Sequence, residues 1–273
     1  MDLGLNDVHV LITGASGGIG LETTRLYLSL GARVTAHYNR NPKPLHDLCT
    51  HHETTLRCIQ ANLTNEDDVT RLFDQASDNA HVPVSVLVVN HGVWPEEDVP
   101  LADMSLQQWN NTIGVNLTAS FLVCRGYLRA LRKAGESEKA KASIVLVGST
   151  SGKYGEPGHA DYAVTKSGMM YGLTNSLENE IVRIAPKGRV NAVAPGWVKT
   201  AMTEETFKDP MLLYPDLATT PLRKVATAMD VANQIVILSS HAVSGHVSGQ
   251  VVFVDGGQEG TLLNMPEDLP SDL

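Results

Sequence analysis

The sequence has few cysteines, and none has the spacing of a metal site. Its 273 residues include only Cys49, Cys58 and Cys124, with no CxxC pair, and its ten histidines form no HExxH motif. An odd number of unpaired cysteines favours three free thiols in a reducing compartment. Without a His/Cys cluster at zinc spacing, a structural metal is not expected. These features predict a cytoplasmic protein that holds no metal.

Long apolar runs and clusters of positive charge are also lacking. Runs such as Val86–Val89 and Ile235–Leu238 fall far short of the roughly 20 residues that a membrane-spanning helix needs. The first residues show no basic segment followed by an apolar one, the pattern of a secretory signal. The net charge is −9, and the basic residues are scattered. Neither a membrane nor a nucleic acid is therefore expected as a partner.

What the sequence does contain is a regular alternation of short β-branched runs and longer amphipathic stretches. Parallel strands buried on both faces and joined by helices give this pattern, which predicts an α/β, doubly wound fold of the Rossmann type with a seven-stranded parallel sheet. The predicted strands are Val8–Thr13, Arg33–His37, Thr55–Gln60, Val84–Asn90, Ser143–Ser149, Gly188–Pro195 and Gln250–Val254. The predicted helices are Gly18–Leu30, Pro44–His51, Glu66–Ala76, Leu106–Lys133, Asp161–Ala185 and Ala228–Ser239.

The alternation runs nearly from end to end, without a linker or an internal repeat, which predicts one domain over residues 1–273. Two segments interrupt it. The polar segment Ala134–Ala142 is interpreted as a solvated loop. The segment Ala201–Leu222 contains three prolines and exceeds the roughly 12–15 residues usual for a loop without a role. We therefore predict a substrate lid at residues 201–222.

A glycine-rich turn follows the first predicted strand, in Thr13–Gly20, and opens a helix. Glycines allow the backbone to approach a pyrophosphate, and the helix N-terminus offers N–H groups to it. A tight strand-to-helix connection would also need glycines, but the first strand–helix junction is where a dinucleotide site belongs. The TGxxxGxG spacing resembles the short-chain dehydrogenase/reductase family. The residues predicted to bind the cofactor here are Gly14, Ser16, Gly17, Gly18, Ile19 and Gly20.

Tyr162 and Lys166 are four positions apart and therefore share one face of a predicted helix. A phenol has an unperturbed pKa near ~10, and a nearby ammonium favours the phenolate. The pair predicts that Tyr162 acts as general acid/base on a carbonyl or alcohol oxygen, with Lys166 lowering its pKa. The resemblance also implies that both residues contact the cofactor.

Ser149 ends a predicted strand thirteen positions before Tyr162. Because carboxyl ends of parallel strands line the ligand crevice, a hydroxyl there can hold the substrate oxygen. Thr150 and Ser151 are rival hydroxyls on chemistry alone, and the family pattern selects Ser149. The resemblance further implies that Asn116 is the fourth catalytic residue, supporting a water-linked proton path to the lysine.

Two more stretches resemble the same family. Asn90 and Gly92 match the family's NNAG motif, from which this chain departs at Val89, in place of the first asparagine, and at His91, in place of the alanine. The stretch Pro195–Thr200 matches PGxxxT, which implies contacts to the nicotinamide from Pro195, Gly196, Val198 and Thr200. The motifs follow the family order over nearly the whole chain. The stretch Gly249–Gly257 resembles the terminal strand of the reductases nearest to 3-oxoacyl-carrier-protein reductase, which implies the compact branch of the family.

Cofactor choice is expected at the end of the second strand. An acidic residue there selects NAD, whereas the 2′-phosphate of NADP requires a cation and no carboxylate. Tyr38 occupies the acidic position, and Asn39 and Arg40 follow, which favours NADP(H) over NAD(H). The resemblance adds Asn62 and Leu63 as contacts near the adenine.

The substrate is indicated only by residues expected to border the crevice. No cluster of Arg or Lys marks a phosphate or carboxylate handle, which favours a neutral carbonyl compound of medium size. An NAD-dependent sugar or alcohol dehydrogenase and a non-catalytic NAD(P)-binding regulator are the alternatives, and the retained catalytic residues disfavour the regulator. The resemblance implies a homodimer or homotetramer. The predicted substrate residues are Trp94, Tyr154, His159, Trp197 and Met202, with Glu156 beside them.

Overall fold

The computed structural model describes residues 2–77, 82–201, 203–204 and 210–264. Its main sheet has seven parallel strands in the order β3-β2-β1-β4-β5-β6-β9, and β7 pairs with β8 in a small second sheet. The predicted doubly wound fold is confirmed. The strands are β1 His9–Ile12, β2 Arg33–Tyr38, β3 Leu56–Gln60, β4 Val86–Val89, β5 Ser143–Val147, β6 Arg189–Pro195, β7 Val198–Lys199, β8 Ala226–Thr227 and β9 Val251–Val254.

Helices cover both faces of the main sheet. On one face α1 packs against α11, and on the other α3 packs against α5, with α9 against β6. Each face has its own cluster of buried apolar side chains. The helices are α1 Gly18–Ser29, α2 His46–His51, α3 Glu66–Ala76, α4 Leu106–Thr112, α5 Ala119–Lys133, α6 Glu136–Lys139, α7 Ser151–Tyr154, α8 Ala160–Ser167, α9 Thr174–Ile181, α10 Pro210–Leu217 and α11 Ala228–Ser239.

The two longest predicted helices are each interrupted by a π-helical segment. Ile113–Thr118 separates α4 from α5, and Gly168–Leu173 separates α8 from α9. Such segments shift the side-chain register without breaking the helix and are frequent at functional sites. A hydrophobic pattern of period 3.6 does not reveal them.

Two expectations need correction. Cys49 and Cys58 form a disulfide between α2 and β3, whereas the sequence predicts three free thiols. The helix packs directly on the strand and brings the sulfurs together, a proximity that no cysteine spacing rule signals. Only Cys124 is free among the described cysteines, and it is buried. The segment Ala134–Ala142, predicted as a loop, contains α6.

The described part of the predicted lid contains α10. Met202 and residues 205–209 lie outside the described residues. No helix in the described ranges is long and apolar enough to cross a membrane. Within the same ranges, no group of three His, Cys, Asp or Glu side chains could hold a metal ion.

The topology places one crevice at the centre of the sheet. β1 lies between β2 and β4. The strand order therefore runs outward from β1 to β2 and β3 on one side, and to β4, β5 and β6 on the other. Ligands of doubly wound sheets bind outside the carboxyl ends of the strands at such a reversal point. The ends of β1, β4, β5 and β6 therefore define where the site belongs.

Candidate active site

A cavity of about 570 Å³ opens at this edge of the sheet. It brings together the glycine-rich turn, the end of β2, the ends of β4, β5 and β6, and the Tyr/Lys helix α8. Most predicted site residues therefore share one cavity. Those that line it are Gly14, Ser16, Gly17, Gly18, Ile19, Asn39, Arg40, Asn62, Leu63, Asn90, Gly92, Trp94, Ser149, Tyr154, Tyr162, Lys166, Pro195, Gly196, Trp197, Val198 and Thr200.

Four predicted site residues do not line the cavity. Gly20 lies behind the turn, and the Tyr38 ring packs against the apolar cluster on the α1 side of the sheet. Asn116 is fully buried, and His159 is 2% exposed beneath the cavity wall. Met202 is outside the described residues.

The glycine-rich turn is built to receive an anion. Gly14 has a φ of +63°, a left-handed conformation that glycine adopts without strain. Gly17 precedes α1 without any side-chain cap, and the first turn of α1 has no acidic residue. The backbone N–H groups and positive dipole end of the helix are thus available to a phosphate. A Cβ on Gly18 would come within 2.6 Å of Thr200, so the PGxxxT stretch closes over the turn.

The turn is fixed to β4 by a buried polar network. The Asn90 side-chain amide donates to the carbonyl oxygens of Thr13 and Gly14, each at 3.1 Å. The Thr13 hydroxyl donates to the Val88 carbonyl and accepts from the backbone N–H of Asn90 at 3.0 Å. These bonds hold the two strand ends that flank the crevice in one geometry.

The catalytic candidates on α8 approach the end of β5. Lys166 is 4% exposed and donates from Nζ to the Val147 carbonyl at 2.9 Å. Its ammonium lies 5.5 Å from the centre of the Tyr162 ring. Asn116, in the π-helical segment after α4, accepts from the Val93 N–H at 2.8 Å and donates to the Val93 carbonyl at 3.0 Å. Asn116 therefore fixes the backbone beside the site.

The hydroxyl of Ser149 lies between Tyr162 and a second hydroxyl. The Ser149 side chain is close enough to Tyr162 to lower the pKa of its phenol. Its Oγ accepts from the Ser151 N–H at 3.2 Å and donates to the Ser151 Oγ at 3.3 Å. The Ser151 hydroxyl in turn donates to Glu156 Oε2 at 2.7 Å. Of the three rival hydroxyls, Ser149 is therefore the one placed beside the phenol.

Comparison with known proteins agrees with this geometry. The family model described as short chain dehydrogenase matches residues 8–211. The chain belongs to the short-chain dehydrogenase family. It is accordingly an NAD(P)-dependent oxidoreductase.

Relatives of this family match almost the whole chain. A 3-oxoacyl-[acyl-carrier-protein] reductase from Synechocystis is 31% identical over 251 residues, covering 90% of this chain and 95% of the relative. One from Thermotoga maritima is 33% identical, with 90% and 96% covered. A solved structure titled short-chain dehydrogenase/reductase, glucose/ribitol dehydrogenase, from Brucella melitensis has a TM-score of 0.80 and 30% identity, with 94% and 98% covered.

The electrostatics of the pair differ from the sequence-based expectation. Burial raises the pKa of Tyr162 to about 12; the Ser149 side chain lowers it, and the Glu156 charge raises it further. Burial also lowers the pKa of Lys166 to about 8. Desolvation of the phenol, and not the Lys166 ammonium, thus sets the direction of the shift in the Tyr162 pKa. At pH 7 Tyr162 holds its proton and Lys166 is mostly charged.

Three aromatic rings, those of Trp94, Tyr162 and Trp197, line the cavity. The Trp94 ring lies 4.0 Å from the His159 ring, 4.7 Å from Tyr162 and 6.4 Å from Trp197, measured between centroids. His159 Nε2 is 2.5 Å from Asp98 Oδ1, which ties the stack to the loop after β4. The buried His159 ring therefore packs against Trp94 and holds it in the cavity wall.

Several cavity residues are not predicted as site residues from the sequence. Ser151 appears there only as a rival hydroxyl, and His91 only as a departure from NNAG. Asp216 and Gln258 come from segments that carry no family motif. His37 precedes the cofactor-selecting positions and could have been found from its place at the strand end. These five residues all line the cavity.

His37 is hydrogen-bonded to the glycine-rich turn, so the geometry of the turn depends on the protonation state of its imidazole. Its Nδ1 accepts from the Gly14 N–H at 3.1 Å, and its Nε2 is 3.0 Å from the Ala61 carbonyl oxygen, which fixes Nε2 as the donor. Burial lowers the pKa of His37 to about 4. Protonation at Nδ1 would remove the acceptor for Gly14 and leave a buried charge.

We expect the free energy of unfolding to fall as the pH drops from 6.5 toward 4. In that window His37 binds a proton in the unfolded protein but not in the folded one. Its contribution to the free energy of unfolding is therefore fully present above pH 6.5 and is lost as the pH falls toward the folded pKa. His37 accounts for a loss of about 2 kcal/mol by pH 5. Denaturant titrations at pH 7.5 and 5.0 measure it. His37→Asn, which keeps an acceptor, should reduce the loss of stability between pH 7.5 and 5.0. The exposed control His51→Gln should not reduce it. Equal losses in the parent and both variants would contradict the assignment of this loss to His37.

Proposed function

We propose that this chain transfers a hydride between NADP(H) and a carbonyl or secondary alcohol, with Tyr162 as general acid/base. The observation that supports this most is that the Ser149 and Tyr162 side chains line the same cavity as the glycine-rich turn, with Lys166 beside them. Two hydroxyls that converge on one point can hold the oxygen of a carbonyl.

The side chains divide the reaction between them. The nicotinamide of the bound cofactor supplies or accepts the hydride at the substrate carbon. In reduction Tyr162 gives its proton to the carbonyl oxygen, and in oxidation it takes the hydroxyl proton back. Ser149 holds that oxygen in place. Lys166, charged at pH 7, stabilises the phenolate left after proton transfer.

The far end of the cavity supports NADP(H) over NAD(H). Asn39, Arg40 and Asn41 line it, and the only described acids of the whole lining, Glu156 and Asp216, belong to its other end. A carboxylate that would repel a 2′-phosphate is thus missing from the described lining there, and a guanidinium that can bind a phosphate is present.

Fluorescence titration is expected to show tighter binding of NADPH than of NADH. Arg40→Ala should weaken NADPH binding about tenfold, equivalent to about 1.4 kcal/mol, and leave NADH binding within about threefold. The exposed control Arg132→Ala should change neither. Tighter binding of NADH by the unaltered protein would overturn the NADP(H) proposal and leave the fold and catalytic residues as they are.

The substrate we propose is a neutral carbonyl compound or secondary alcohol of medium size. The relatives named 3-oxoacyl-[acyl-carrier-protein] reductase favour a ketone. A sugar or polyol dehydrogenase is the second candidate, favoured by the carboxylates in the substrate end of the cavity. A regulator without activity would have no need of the buried Lys166 and the Ser149–Tyr162 pair. Assembly as a homodimer or homotetramer and location in the cytoplasm complete the proposal.

A further inference from the structure

We propose that Glu156 determines substrate specificity. Its carboxylate binds a hydroxyl group of the substrate, would also accept an ammonium group in its place, and excludes substrates that carry an anionic group there. This inference rests on the proposed hydride transfer at Tyr162 and specifies what the substrate bears beside its reacting carbon.

Glu156 is positioned at the cavity wall by a turn. Gly155 ends α7 in a left-handed conformation, with a φ of +82°, and Glu156 is the next residue. Glu156 is half-buried. Oε2 accepts from the Ser151 hydroxyl, which fixes the carboxylate. Oε1 has no hydrogen-bond partner among the described residues. A half-buried carboxylate oxygen in this state can accept a hydrogen bond from a ligand.

The carboxylate is close to the reacting centre. Ser151 connects it to Ser149 by a 2.7 Å and a 3.3 Å hydrogen bond, so Glu156 lies two hydrogen bonds from the hydroxyl that holds the substrate oxygen. Its charge also raises the pKa of Tyr162. A substrate group a few bonds from the carbonyl carbon therefore falls within reach of Glu156.

The local charge is negative. The described cationic residues of the lining are Arg40, at the opposite end of the cavity, and Lys166, whose ammonium bonds the Val147 carbonyl. Burial, together with the nearby Asp216 and Asp98 charges, raises the pKa of Glu156, while Ser151 and His159 act in the opposite direction. A second anion placed here would be repelled by the Glu156 carboxylate in a partly desolvated cavity. An ammonium or a hydroxyl would instead donate a hydrogen bond to that carboxylate and stabilise its charge.

Asp216 has a different task from Glu156. Its Oδ2 accepts from Trp197 Nε1 at 2.7 Å, and its Oδ1 accepts from Gln258 Nε2 at 2.8 Å and from the Thr261 hydroxyl at 3.0 Å. These bonds occupy both oxygens and hold the Trp197 ring in the wall. Of the two acids, Glu156 is the one with an oxygen left for the substrate.

The test is a series of cyclohexanones that differ only at C4, where they bear a hydroxyl, ammonium, methyl or carboxylate group. The purified protein is assayed for kcat and KM with the nucleotide that it binds more tightly. We expect the hydroxyl and ammonium compounds to exceed the methyl compound in kcat/KM, and the carboxylate compound to fall at least about tenfold below it, as a like-charge cost of about 1.4 kcal/mol gives.

Glu156→Gln should lower the ammonium-over-carboxylate ratio at least about tenfold, mainly through KM, because the amide keeps a partner for Ser151 but carries no charge. The exposed Glu97→Gln is the matched control and should keep the full ratio. If Glu156→Gln does not fold, the wild-type series decides alone. Equal efficiencies across the wild-type series, or an unchanged ratio in Glu156→Gln, overturn the role of Glu156 and leave hydride transfer standing. Failure to reduce any of the four ketones or oxidise their alcohols counts against the proposed function itself.

Discussion

Replacing Tyr162 by phenylalanine is expected to reduce kcat at least about 100-fold, the lower range of what a general acid/base contributes. The ring keeps its place against Trp94, 4.7 Å away, so the cavity wall stays intact. Only the hydroxyl beside Ser149 is lost. Nucleotide affinity should stay within about threefold, because the phosphate-binding turn is formed by other residues, Gly14 to Gly20, which the substitution does not change. Steady-state kinetics and fluorescence titration on the same preparation measure both quantities.

The control for this experiment is Tyr171→Phe, which removes an exposed phenol 40% accessible to solvent. It should retain full activity. Turnover of Tyr162→Phe at the rate of this control would show that another group transfers the proton. Loss of nucleotide binding together with turnover would instead mean that the phenol serves the cofactor site rather than the acid/base step.

The ionisation of the pair explains why a phenol suits this position. The pKa of Tyr162, raised to about 12, keeps the proton on the acid until a substrate oxygen is present. Burial, and not a neighbouring cation, lowers the pKa of Lys166 to about 8. The ammonium therefore keeps most of its charge at pH 7. Both shifts arise because the side chains lie in a low-dielectric pocket, where an arriving substrate charge is felt strongly.

The sequence predicts the sheet because buried parallel strands leave a strong local pattern. All seven predicted strands overlap strands of the main sheet, and the motif residues Ser149, Tyr162 and Lys166 meet in one cavity. These features depend on neighbours in the chain or on spacings within one helix. They are therefore readable without tertiary structure.

The features that the sequence does not predict depend on contacts between distant segments. The Cys49–Cys58 disulfide follows from packing of α2 on β3, and the inward turn of Tyr38 follows from the apolar cluster beneath it. The hydrogen bond between Trp197 and Asp216 joins the link between β6 and β7 to α10. Burial of Tyr162 reverses the expected sign of its pKa shift, because desolvation is a property of the folded protein alone.

A methyl group on Gly20 should abolish nucleotide binding. A Cβ there would press against the Gly14 carbonyl oxygen and lie 2.9 Å from Ala15 Cα and 2.7 Å from Asn90 Nδ2. Backbone atoms cannot swing aside as a flexible side chain can, so the turn itself must move. We expect Gly20→Ala to weaken nucleotide binding more than about 100-fold and to cost about 1–3 kcal/mol of stability, as overpacking does. Titration with NADPH and thermal unfolding test the two effects.

The matched control is Gly172→Ala, at an exposed position of the π-helical segment between α8 and α9 where a Cβ meets no atom within 4 Å. Because alanine is the better helix former, this variant should be as stable as the parent or slightly more so. Both variants add the same single methyl group, so a difference between them reports its location. Normal nucleotide affinity in Gly20→Ala would show that the glycine turn does not cradle the phosphates, since the phosphate-binding geometry requires Gly14 and Asn90 to stay where the added methyl group displaces them.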